Sequence, residues 1–80
     1  MPAIMALYFF HIRSAGVRIA DDEGVHLRDL HAAHCELLAS AQDLAVADMC
    51  AGRNIADDAI EMEDSFGHLI EIMPIRRVLH

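Results

Sequence analysis

The chain has no lysine and no tryptophan, and only four aromatic residues, two cysteines and two prolines among its 80 residues. Without lysine, its basic side chains are six arginines set against thirteen acids, a net charge of −7 at pH 7. Phosphate backbones and anionic bilayers are bound by basic surfaces, so nucleic-acid and membrane-surface roles are disfavoured. The scarcity of aromatics means that Leu, Ile, Val, Met and Ala must supply the core. They suffice, because the hydrophobic fraction is 55% and mean hydropathy is +0.28, far from the composition of a disordered chain.

Long apolar runs are missing too. The opening from Ala3 to Phe10 falls well short of the roughly 20 residues that span a bilayer. It has neither a basic leader nor a small-residue cleavage site, which makes the cytoplasm the expected compartment. No repeat, low-complexity tract or Pro/Gly/Ser-rich linker interrupts the chain, so residues 1–80 read as a single small domain.

The segment Ala6 to Arg13 is dense in aromatic and β-branched residues and reads as a strand, with Tyr8, Phe10 and Ile12 on one face and Phe9, His11 and Arg13 on the other. Ser14-Ala15-Gly16 reads as a turn and Val17 to Ala20 as a short return strand. An acidic loop, Asp21-Asp22-Glu23-Gly24, follows, and Val25 and Leu27 lead into a helix. Asp29 suits the N-cap, helix formers continue unbroken, and Gly52 suits the residue just past the C-terminus. Leu30, Ala33, Leu37, Ala41, Leu44 and Ala45 make the core-facing stripe, with His34 and Asp48 as its polar intrusions. After a polar connection anchored by Ile55, Ala59 to Glu63 and His68 to Met73 form a hairpin around Asp64–Gly67. In it Ile70 and Ile72 are expected to share a face with Ile60 and Met62, and Pro74 ends the second strand. Ile75 to His80 reads as a short tail with room for one helical turn. The fold class is α+β: an antiparallel sheet of three to four strands with one long helix on one face, in the order β-β-α-β-β. Cys35 and Cys50 lie on one helix about 22 Å apart along its axis, too far for an intrachain disulfide. Two free thiols suit a reducing compartment.

The run Tyr8-Phe9-Phe10-His11-Ile12-Arg13, the Asp21–Val25 loop, Leu27, Asp29-Leu30 opening an Ala-rich helix, Ala51-Gly52-Arg53, Glu63-Asp64 and Gly67 together resemble a family of short bacterial proteins classed as a domain of unknown function. The resemblance runs from about Met5 to the C-terminus. Met1 to Ile4 reads as an extension, with Met5 as an alternative start. The resemblance implies the fold and a bacterial source, and it carries no activity to transfer. Similar sequences tend to have charged residues along the helix, where this one has Ala32, His34, Cys35 and Leu38.

No motif in the sequence commits the chain to an enzyme. His31, His34 and Cys35 offer zinc-compatible donors at helical spacing, but a fourth ligand is not evident and the pattern suits a partly buried histidine with surface neighbours. Cys35 lies mid-helix, away from amides that would stabilise an oxyanion. The Asp21–Glu23 acids do not follow a calcium-loop spacing. Arg76-Arg77 is too small a cluster for nucleic acid in so acidic a chain. No catalytic, cofactor or metal residue is assigned, and no cofactor is expected.

A second helix stripe, Cys35, Ala39, Gln42, Val46, Met49 and Cys50, lies away from the core stripe. A helix apolar on two sides needs two things to pack against. The reading is therefore a non-enzymatic protein–protein interaction module that self-associates, most simply as a homodimer. Phe9, Leu69 and Met73 on the sheet and Val46 on the helix are its candidate interface residues, the sheet side being favoured because its side chains are larger. The alternative is a regulatory antitoxin of a toxin–antitoxin pair, since the strand–strand–helix–strand order resembles that of HicB-type antitoxins and the chain is acidic. Further off stands a small metal-dependent or thiol enzyme.

Overall fold

The computed structural model describes residues 5–55 and 57–78. The extension expected over Met1 to Ile4, and the last two residues of the expected tail, lie outside the described residues. Five strands, one long helix and a terminal 3-10 turn are laid out as β1 (Ala6–Ser14), β2 (Val17–Ile19), β3 (Val25–Leu27), α1 (Leu30–Cys50), β4 (Ala59–Asp64), β5 (Leu69–Pro74) and the turn Ile75–Val78. All pairings are antiparallel, with the sheet order β2-β1-β4-β5 and β3 beside β1 on the edge that β2 also uses.

That shared edge is the least regular part of the sheet. Strand β2 pairs with Ile12–Ser14 and β3 with Ala6–Tyr8, which leaves the edge of β1 open between them. The acidic loop crosses the gap and fills it. Asp21 Oδ2 accepts from the Phe10 amide at 3.1 Å, while its Oδ1 accepts from the amides of Glu23 and Gly24 at 3.2 and 3.1 Å. Gly24 has φ +72°, and a Cβ there would lie 2.9 Å from both Leu7 Cδ1 and the Tyr8 carbonyl oxygen, so only glycine lets the loop rejoin β1. From the sequence alone, Val25 and Leu27 simply lead into the helix. Three residues are too few to reveal a strand whose pairing partner lies before the turn.

Helix α1 begins at the Asp29 cap, whose side chain accepts from the Ala32 amide at 2.8 Å, and ends at Gly52 with φ +71°. Gly52 and Arg53 amides return to the carbonyls of Met49 and Asp48, the usual closure of a helix by a left-handed glycine. The core joins Ala33, Leu37, Ala41 and Ala45 of α1 to Tyr8, Ile60, Met62, Met73 and Ile75, with Phe10, Leu27, Leu38 and Leu44 around it. Alanines at three of the four helix positions let α1 sit close to the sheet. Leu30, expected in the core, is exposed.

One register expectation is overturned. Met73 pairs with Ile60 and Glu71 with Met62, so these two share the helix-side face and Ile72, opposite Glu61, does not. Ile70 has no partner on β4 and lines the helix-side depression with Met62. A bulge between Met62 and Glu63 inserts Ile70 as the extra residue, and one inserted residue reverses the alternation of everything beyond it.

Candidate functional site: the helix face and the open sheet face

The sheet face away from the helix carries a continuous charged network. Glu61 is buried at its centre and takes both arginines, Arg13 at 2.9 Å and Arg18 at 3.1 Å. Arg18 also reaches Glu63 at 3.4 Å. Burial pushes the Glu61 carboxyl up, but the hydrogen bonds from Arg18 and Arg13 outweigh it and hold the group below its ordinary value. Beside this network His11 is buried between two partners. Its Nδ1 accepts from the Asp21 amide at 2.9 Å, which places the ring proton on Nε2, and that group donates to Glu63 at 2.8 Å. Phe9 lies parallel to the His11 ring with centroids 6.2 Å apart.

The sheet-side interface candidates fare unequally. Phe9 is half-buried against His11. Leu69 stays 52% exposed and pairs with Glu63, and Ile72, also exposed, pairs with Glu61. Met73 is 3% exposed and belongs to the core, so its placement on the outer face is corrected: the bulge turns it inward. What the open face offers is mainly mutually neutralised charge.

The His31, His34 and Cys35 group splits into two pairs. His34 Nδ1 donates to Glu71 at 3.1 Å, while Cys35 Sγ meets His31 Nε2 at 3.9 Å. Among the described residues no three metal donors converge. His31 and His34 instead line an open depression of about 440 Å³ with Leu30, Met62, Ile70 and Glu71. Of the acidic loop, Asp21 spends both carboxylate oxygens on the amides of Phe10, Glu23 and Gly24. Its position three residues before Gly24 was the available signal, since a short carboxylate there readily bonds the following amides.

Near the helix C-terminus two buried carboxyls meet. Asp48 is 3% exposed and Asp58 4% exposed, and no donor among the described residues reaches the buried Asp48 Oδ2. Side-chain hydrogen bonding to Asp58 raises the Asp48 carboxyl above its ordinary value, burial adds to this, and Arg53, 3.7 Å from Oδ1, opposes it. The last carbonyls of a helix carry negative partial charge, which disfavours a carboxylate there as well.

The solvent side of α1 is poor in charge, and it is one of several places where apolar side chains are exposed, beside Val17 and Ile19 of β2, Leu69 and Ile72 of β5 and Phe66 of the hairpin turn. Cys35, Ala39, Gln42, Val46, Met49 and Cys50 are all exposed, Val46 and Met49 at 61% each. The helix has three acids and no lysine or arginine; Glu36 is half-buried, Asp48 is buried, and Asp43 alone is an exposed formal charge. In a chain that is 24% charged, the exposed side of a surface helix is where charge is expected to collect. Here it does not. Both cysteines are exposed and unbridged.

Fold and surface thus define a two-layer α+β domain, one long helix on an antiparallel five-stranded sheet, with no helix among the described residues long and apolar enough to cross a membrane. The chain belongs to the family described as Domain of unknown function (DUF6894), whose model matches residues 7–76. No curated protein and no solved structure is matched by it.

Proposed function

We propose that this protein is a non-enzymatic interaction module that self-associates, and that the solvent face of α1, more than the sheet, is its contact surface. The observation that carries the reading is the near absence of charge from that face in a chain of net charge −7. Covering Val46, Met49 and the small residues around them removes apolar area from water at about 25 cal/mol per Å², with few charges to desolvate. The sheet face argues the other way, because opening it to a partner would disturb ion pairs already satisfied within one chain. Two of the histidines are engaged structurally: His11 ties the loop to β4, and His34 ties the helix to β5. Two exposed free thiols suit a reducing cytoplasm, and the resemblance noted above suits a bacterial one.

Light scattering coupled to size exclusion tests the reading. At tens of micromolar the mass should approach twice 8.9 kDa and fall on dilution. A constant 8.9 kDa over that range would refute it.

A further inference from the structure

Two apolar side chains that the sequence pattern assigns to the core stand outside it, and they stand together. Leu30 opens α1 and is 54% exposed; Ile70, the bulge residue without a partner on β4, is 40% exposed. Both line the depression of about 440 Å³, whose floor is the buried Met62 and whose remaining lining is His31, His34 and Glu71. That volume is within the usual range of small-molecule sites, and bulges often re-aim a side chain beside such a site. We propose that this depression binds a small organic cation, a primary ammonium carried on an apolar body of about one ring. None of its lining residues belongs to the Cys35–Cys50 stripe, so the site does not depend on self-association.

The rim selects the charge of the ligand. His34 Nδ1 donates to Glu71 Oε1 at 3.1 Å, which leaves Nε2 of the neutral ring as an acceptor. Among the described residues no donor reaches Glu71 Oε2, and no arginine lines the depression. Both open polar atoms therefore accept hydrogen bonds. One belongs to a carboxylate only 32% exposed, where a charge-assisted bond is stronger than at a fully solvated surface. Leu30, Met62 and Ile70 cover the apolar body while Glu71 takes the ammonium. An anionic ligand would meet Glu71 and a net charge of −7 instead. A second depression, of about 350 Å³ beside Phe9, holds more acids but offers less to a cation. There Asp21, Glu63 and Asp64 each have both carboxylate oxygens bonded within the chain, which leaves the exposed Asp22.

Titration of isotope-labelled protein with phenethylamine tests the site, followed by amide NMR shifts at about pH 8, where histidine is ordinarily neutral. Saturable shifts should gather at Leu30, His31, His34, Met62, Ile70 and Glu71. Phenethylamine should bind about tenfold tighter than phenethyl alcohol, which has the same shape without the charge, and phenylpropionate more weakly than either. Glu71→Gln keeps the shape of the side chain and should bring the amine down to the affinity of the alcohol. Equal affinities of amine and alcohol for wild type would overturn the proposal, as would amine binding unchanged by Glu71→Gln. Shifts centred on the acidic loop, or none that saturate in the millimolar range, would overturn it too. The comparison of the three probes on wild type decides the matter even where the variant fails to fold.

Discussion

His11 and Asp21 hold each other across the broken edge of the sheet: the Asp21 amide donates to His11 Nδ1 at 2.9 Å, and the Asp21 carboxylate accepts the amide of Phe10, the neighbour of His11, at 3.1 Å. A single residue thereby closes the gap between β2 and β3. It also fixes the histidine tautomer that donates to Glu63. The acidic loop is a structural plug, and its three consecutive acids have unequal roles.

Asp21→Ala should therefore cost about 2 kcal/mol, because it leaves the Phe10 amide on the open edge without its acceptor and removes two loop bonds. Asp22→Ala, at an exposed neighbour, should stay within about 0.5 kcal/mol of wild type. Urea denaturation of the two variants checks this. Equal effects would mean that the loop is merely solvated.

Acid should weaken the sheet through Asp21 and Glu61. Burial raises both carboxyls, but amide bonds from Phe10, Gly24 and Glu23 in the first case and arginine bonds in the second bring each net below its ordinary value. A carboxyl depressed in the folded state contributes stability that is present above its unfolded pKa and lost as pH falls through the folded one. Stability should thus decline as pH drops below about 4, and Glu61→Gln should flatten that decline while lowering stability at pH 7. Denaturant midpoints from pH 2 to pH 7 provide the measurement, and an unchanged acid slope in Glu61→Gln would contradict the assignment.

Asp48 carries the opposite sign. Its carboxyl is raised by the hydrogen bond with Asp58 and by burial, so its favourable contribution is full below the unfolded pKa of about 3.8 and is lost as pH rises through the folded value. Asp48→Asn keeps the shape and removes the charge. It should stabilise the protein at pH 7 and change little at pH 3, as thermal melts at the two pH values would show. A loss of stability at pH 7 would mean that the Arg53 contact, 3.7 Å away, outweighs the carboxyl pair.

The elements legible in the sequence were those specified locally. The Asp29 cap, the Gly52 stop and the buried Ala33–Ala45 stripe all follow from neighbouring residues, and they stand in the structure as read. The parts that were not legible depend on pairing between distant segments. Strand β3 exists because Asp21 and Gly24 bring Val25–Leu27 back to β1, and the inward turn of Met73 exists because of a bulge across from Met62 and Glu63. Of the candidate surface, Val46 was readable from helical spacing alone, whereas the sheet-side choice of Met73 depended on a register that spacing does not reveal.

Sedimentation equilibrium at micromolar concentration on wild type, Val46→Glu and Leu69→Glu tests the central claim most directly. Val46 and Leu69 are exposed at 61% and 52%, so both variants should fold, which circular dichroism confirms independently. A charge at position 46 on each copy places unpaired carboxylates in the helix contact, whereas one at position 69 leaves that contact untouched. The account predicts a dimer for wild type and Leu69→Glu and an 8.9 kDa monomer for Val46→Glu. A dimer abolished by Leu69→Glu and kept by Val46→Glu would place the interface on the sheet and contradict it.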